Sequence, residues 1–157
     1  MQKKIVSIDQ QEKRSSEQNC LNLESIATVE LTSESADHPI EMALTADLSS
    51  GWQAEESGKQ MIRFIFKQPQ QLNLIRLSFV ETAIERTQEY ILRYSADEGK
   101  SSHEILRQQW NFNPEGASLE EEEHQLELQN VMVFELIIIP DISGGEARAS
   151  LQTLQLA

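Results

Sequence analysis

From Leu21 to the carboxyl end the apolar side chains recur at a period close to two, the mark of strands that each bury one face. Ala27, Val29 and Leu31 alternate with Thr28, Glu30 and Thr32. The run Met61 to Phe66 is denser, with Ile62, Phe64 and Phe66 on one side and Arg63 on the other. Pro69, which has no amide hydrogen to give a ladder, is expected to close it. The apolar parity then changes from Leu72 and Leu74 to Ile75, Leu77 and Phe79, so a bulge is expected near Leu74. Tyr90, Leu92 and Tyr94 alternate with Ile91, Arg93 and Ser95, and Ser95 to Lys100 supplies turn residues for a hairpin returning over His103 to Trp110. Leu126 and Leu128 start another short strand. Val131 to Ile139, apolar and β-branched up to Pro140, predicts a central strand, and Leu151, Leu154 and Leu156 a last one. Helical spacing is confined to Pro39 to Leu44.

Seven or eight short strands with turns between them predict an all-β chain, folded as an antiparallel β-sandwich. Residues 1–20 read instead as a polar arm, because Gln10 to Asn19 has no apolar anchor, and residues 21–157 as one domain. The apolar stretch after Lys3 and Lys4 is too short for a secretory signal, so a cytoplasmic address is expected. No apolar run approaches the roughly 20 residues of a membrane helix. The formal charge is −13, and four of the basic residues lie in the arm, leaving 9 basic and 23 acidic side chains in the body. Nucleic acid and anionic lipid both reward lysine and arginine clusters, so neither partner is expected. Glu115 to Glu127, with four consecutive glutamates, reads as a solvated loop.

Catalytic patterns are missing. His38, His103 and His124 have no metal-ligand spacing, and no nucleophile elbow or phosphate loop occurs. Gly144-Gly145 reads as loop punctuation, and the lone Cys20 as a bystander. The chain is therefore expected not to be an enzyme. Candidate ligand-binding residues are the aromatics Trp52 and Trp110, the amide Asn111 beside the latter, and the polar groups Arg86, Gln88, Asp141 and Arg148 near predicted strand ends. Arg93 and Arg107 read as cross-strand partners of acids on the face away from the core.

The order Ala27-Thr28-Val29-Glu30-Leu31-Thr32-Ser33, the tryptophan of Ala43 to Trp52, the strands Met61 to Phe66 and Leu74 to Phe79, the segment Tyr90 to Ser101 with its Tyr-Ser-x-Asp-x-Gly-Lys pattern, and Val133 to Pro140 together carry a resemblance. The chain resembles the discoidin, or coagulation factor five/eight C-type, domain of the galactose-binding-like superfamily from about Ala27 to Ala157. That resemblance implies an eight-stranded jelly roll holding a ligand in loops at one end. Many such domains hold a structural calcium ion between an Asp-rich loop before the tryptophan and a glutamate near the last strand. Asp47 and Ser50 stand at the first place, but Leu151 to Leu156 carries no carboxylate, so structural calcium is disfavoured and no cofactor is expected. More narrowly, His38 to Phe66 is similar to the amino-terminal domain of the single-strand-break repair scaffold that binds DNA polymerase beta, which has the same architecture.

Two functions follow as expectations. The first is a non-catalytic intracellular protein-interaction module whose acidic body selects a basic partner. The alternative is a carbohydrate-binding module that stacks a glycan on Trp52 or Trp110 and hydrogen-bonds it with neighbouring polar groups.

Overall fold

The computed structural model describes Lys3, residues 20–45 and residues 51–157. Asp47, Ser50 and, apart from Lys3 and Cys20, the polar arm lie outside the described residues. The elements are α1 (Leu23–Ile26), β1 (Ala27–Leu31), α2 (Glu41–Leu44), β2 (Trp52–Ser57), β3 (Gln60–Val80), β4 (Arg86–Ser95), β5 (His103–Phe112), β6 (Leu119–Ile139), β7 (Arg148–Leu151) and β8 (Thr153–Leu156). Every pair among the eight strands is antiparallel.

Two long strands build the sandwich. The first half of β3 lies between β1 and the end of β6, and β4 and β5 continue that layer in the order β1-β3-β6-β4-β5. The second half of β3 lies between β8 and the start of β6 and forms the facing layer. The crossing is where the β3–β6 register slips, between Ile65 and Leu74. Such slips bend a ladder and increase its twist, which lets one strand serve both layers. The bulge expected near Leu74 is present, as a shift between Leu72 and Leu74.

Pro69 does not end the strand. It sits exposed within the slipped segment, where a missing amide hydrogen costs no ladder bond, and β3 continues to Val80. Leu126 and Leu128 likewise belong to the same strand as Val131 to Ile139, with Asn130 at a positive φ of 57° between them. The acidic segment is also not a loop beyond Leu119, because β6 begins there and places Glu120 in the interior at 1% exposure. In a strand consecutive side chains point to opposite faces, so a run of four glutamates need not be solvated as a block. Trp52 opens β2. The carboxyl end makes two short strands, β7 pairing with β2 and β8 with β3.

The core fills the space between the layers. Ile62, Phe64, Tyr90, Leu92, Phe134 and Leu136 come from one side, and Ile75, Leu77, Phe79, Leu154 and Leu156 from the other. Phe79 stacks on Tyr90 across the interior with ring centroids 5.3 Å apart. The helical turn α2 forms over the spacing read from Ile40, Ala43 and Leu44 and buries Ala43. The Ser95 to Lys100 turn joins β4 to β5 as expected; Asp97 accepts hydrogen bonds there from Ser95 Oγ, the Ser101 amide and the Ser101 hydroxyl.

Candidate functional site

The end of the sandwich opposite that turn gathers the candidate residues. In the β4–β5 register Arg86 faces Phe112, Thr87 faces Asn111 and Gln88 faces Trp110. The loop after β6 joins them, because the Ile142 amide donates to the Thr87 carbonyl at 2.9 Å. The loop before β4 joins through Glu81, whose amide donates to the Ser118 carbonyl at 2.8 Å. Five of the seven expected residues, Arg86, Gln88, Trp110, Asn111 and Asp141, thus meet at one end, although 55 positions separate the first from the last.

They divide by depth. The period-two alternation of β4 points Arg86, Gln88 and Tyr90 inward and Thr87 outward, where its hydroxyl donates to Asn111 Oδ1 at 2.9 Å. Asn111 is exposed, and Asp141 is half-buried with Oδ1 accepting from the Ser143 amide at 3.0 Å. Trp110 is half-buried against the core, and its Nε1 has no partner among the described residues. Val80, Ile84, Leu119 and Ile142, four of the five large apolar side chains exposed among the described residues, also stand at this end.

Beneath this surface lies a buried polar chain. Arg86 Nε donates to Glu81 Oε1 at 2.7 Å, and its Nη1 donates to the Pro140 carbonyl at 2.6 Å and to Gln88 Oε1 at 3.2 Å. Its guanidinium lies over the Phe112 ring at 4.8 Å, a desolvated cation on an aromatic face. Gln88 Nε2 in turn donates to Glu120 Oε1 at 3.4 Å, while Glu120 Oε2 has no partner among the described residues. Burial, with the nearby Glu122 charge, raises the Glu120 carboxyl to about 7, against the pull of Gln88 and Arg86. Burial also opposes the charge of Glu81, yet the Arg86 hydrogen bond and the Ala83 amide hold that carboxyl below its ordinary value. Tyr90, whose hydroxyl lies 3.0 Å from His124 Nε2, is shifted upward by burial and by Glu120 and Glu122.

Arg86 and Gln88 therefore lie under the loops, and as folded they offer almost no surface to a ligand. Trp52 is 1% exposed, with Nε1 donating to the Ser33 carbonyl at 3.2 Å, so its ring serves the core beneath β2 and β7. Arg148 is exposed at the start of β7, opposite Ser57. Arg107 pairs with Glu89 across the strands, as expected, and with Glu104 along β5, and Arg93 lies in register with Glu104 and Glu135. Reading β6 as interrupted hid Glu120 and the Tyr90–His124 pair. The parity of Glu120, Glu122, Leu126 and Leu128 carried the signal for an unbroken strand. Among the described residues no group of three or more His, Cys, Asp or Glu side chains is placed to hold a metal.

No protein-family model matches the chain, and no curated protein matches it. Solved structures do. The family 32 carbohydrate-binding module of Clostridium perfringens NanJ, in complex with galactose, superposes with a TM-score of 0.65 at 12% identity, over 87% of this chain and 96% of that one. A Clostridium perfringens CBM32 module in complex with GalNAc-β-1,3-galactose gives 0.62 at 17% identity, over 88% and 99%. A Ruminococcus gnavus GH29 fucosidase in complex with fucose gives 0.66 at 9% identity, over 92% of this chain and 28% of that one. The fold is the galactose-binding-like jelly roll.

Proposed function

We propose that this galactose-binding-like jelly roll is a non-catalytic carbohydrate-binding module whose loop end, between β4, β5 and the segment after β6, takes a glycan. The observation that carries the reading is the likeness, over nearly the whole chain, to modules solved with galactose and GalNAc-β-1,3-galactose. The same end presents the partly open Trp110 ring, the exposed amide of Asn111 and the carboxylate of Asp141. Sugars reward that mixture, since a ring face covers their C–H groups while amides and carboxylates bond their hydroxyls. A glycan array probed with the full chain tests it. Binding to a defined sugar is expected, with loss of about tenfold or more in affinity, ~1.4 kcal/mol, for both Trp110→Ala and Asn111→Ala. An array that stays blank, or sugar binding indifferent to both changes, refutes the reading.

A second reading, docking of a protein, is favoured by one observation: the connections that carry the exposed Ile84 and Ile142, and the one that leads into the exposed Leu119, also carry the exposed acids Glu85, Glu115 and Glu146, with Val80 exposed at the end of β3. That surface fits a basic segment with apolar side chains. Its mark is a partner captured at low salt and released as ionic strength rises, with capture lost in Ile84→Ser and Ile142→Ser.

A further inference from the structure

One buried guanidinium holds the segments that close the loop end. Arg86 bonds Glu81 in the loop before β4 and the Pro140 carbonyl where the loop after β6 begins, and it covers Phe112 at the end of β5. The next bond along, Ile142 amide to Thr87 carbonyl, repeats the link between that second loop and β4. The placement of both loops therefore follows the orientation of Arg86.

On its inner side the guanidinium reaches Glu120 through Gln88, whose Oε1 accepts from Arg86 and whose Nε2 donates to Glu120. Glu120 is 1% exposed, and among the described residues one of its carboxyl oxygens is unmet. The polar groups that face it are Arg86, Gln88 and Tyr90 from β4 and Glu122 from its own strand, with Glu81 beyond Arg86 and His124 beyond Tyr90. Phe79, its register partner on β3, is apolar. A neutral carboxyl fits that setting. A carboxylate there has an oxygen unmet among the described residues and reaches the guanidinium only through Gln88, while Arg86 Nε is held by Glu81 and its Nη1 by a neutral carbonyl, and a buried anion gains more from a cation than a carbonyl does. Ionisation therefore draws Arg86 from Pro140 toward Glu120 and slackens the loop after β6.

We propose that Arg86 is the positioning residue of the loop end, and that the charge on Glu120 sets how firmly Arg86 holds Pro140, coupling ligand affinity at the loops to one buried carboxyl. For the identity of the ligand this rests on the glycan-binding reading; for the loops it does not. The raised carboxyl of Glu120, at about 7, puts the transition near neutral pH.

Amide hydrogen exchange on the full chain without ligand tests it between pH 5.5 and 8.5, corrected for the intrinsic pH dependence of exchange. Protection at the Ile142 and Ser143 amides is expected to fall about fivefold or more as pH rises through neutrality, while Leu136 in the core does not follow. Glu120→Gln, which cannot ionise, should flatten the profile. Glu122→Gln should move its midpoint to lower pH, and this variant carries the test if Glu120→Gln does not fold. Arg86→Lys, which keeps the charge without the fork, should lower protection at every pH. A flat wild-type profile, or one unchanged by both glutamate variants, overturns the proposal. If the profile appears and the array stays blank, the glycan reading fails and the clamp stands.

Discussion

Gly51 and Gly58 flank β2, both with left-handed backbone at φ +72° and +88°, so replacing each by alanine separates backbone strain from steric collision. A left-handed alanine costs about 1 kcal/mol at either site. At Gly58 no described residue lies within 4 Å of the added Cβ, and strain is the whole effect. At Gly51 the Cβ meets the Leu151 carbonyl oxygen at 2.6 Å and Gln152 Cα at 2.9 Å. Both are backbone atoms at the junction of β7 and β8, one strand paired with β2 and the other with β3, so neither yields without disturbing two ladders. Overpacking of that kind costs about 1–3 kcal/mol, which brings Gly51→Ala to about 2–4 kcal/mol. Urea unfolding at unchanged m measures both variants. If Gly51→Ala is no more destabilised than Gly58→Ala, the close approach does not hold in solution and the steric reasoning fails.

Other perturbations test the buried chain and the far hairpin. Because folding raises the Glu120 carboxyl from 4.5 to about 7, the folded state holds the proton longer; this group's contribution to stability is fullest below about 4.5, falls as pH rises to about 7, and is flat beyond. Glu120→Gln should remove that decline, giving at pH 8 a gain of up to about 3 kcal/mol relative to the wild type, read by urea melts at pH 5 and 8. A difference that does not change with pH refutes it. Arg86→Met strands Glu81 and the Pro140 carbonyl and should cost about 3 kcal/mol or more, seen as a lowered Tm, whereas Arg107→Met, on an exposed pair, should leave Tm nearly unchanged. Asp97 is held below the usual carboxylate range by hydrogen bonds from the Ser101 hydroxyl, the Ser101 amide and Ser95. Asp97→Ala should raise amide exchange at Ser101 and leave that of β6 unchanged.

The fold was more legible than the site, for a physical reason that particular residues show. Alternation in β1 and β4, the change of parity near Leu74, the turn at Ser95 to Lys100 and the return over His103 to Trp110 are local properties, and the structure keeps them. Where reading failed, the missing information was nonlocal. Pro69 looks like a terminator because a ladder usually needs its amide, and only the slip between β3 and β6 makes that amide dispensable. The glutamate run looks solvated because like charges repel, and only the pairing of Phe79 with Glu120 shows that the strand carries one of them indoors.

The candidate residues divide in the same way. That Trp110, Asn111 and Asp141 lie near strand ends follows from the turns around them, and their chemistry is written in their side chains. That Trp52 is core while Arg86 and Gln88 are supports was decided by tertiary packing, which alone sets depth. Local pattern thus determined an acidic, antiparallel all-β chain with ligand-capable groups at strand ends. The tertiary structure decided which of those groups face outward, and it created the Arg86–Gln88–Glu120 chain, whose energetics exist only once two layers exclude water between them.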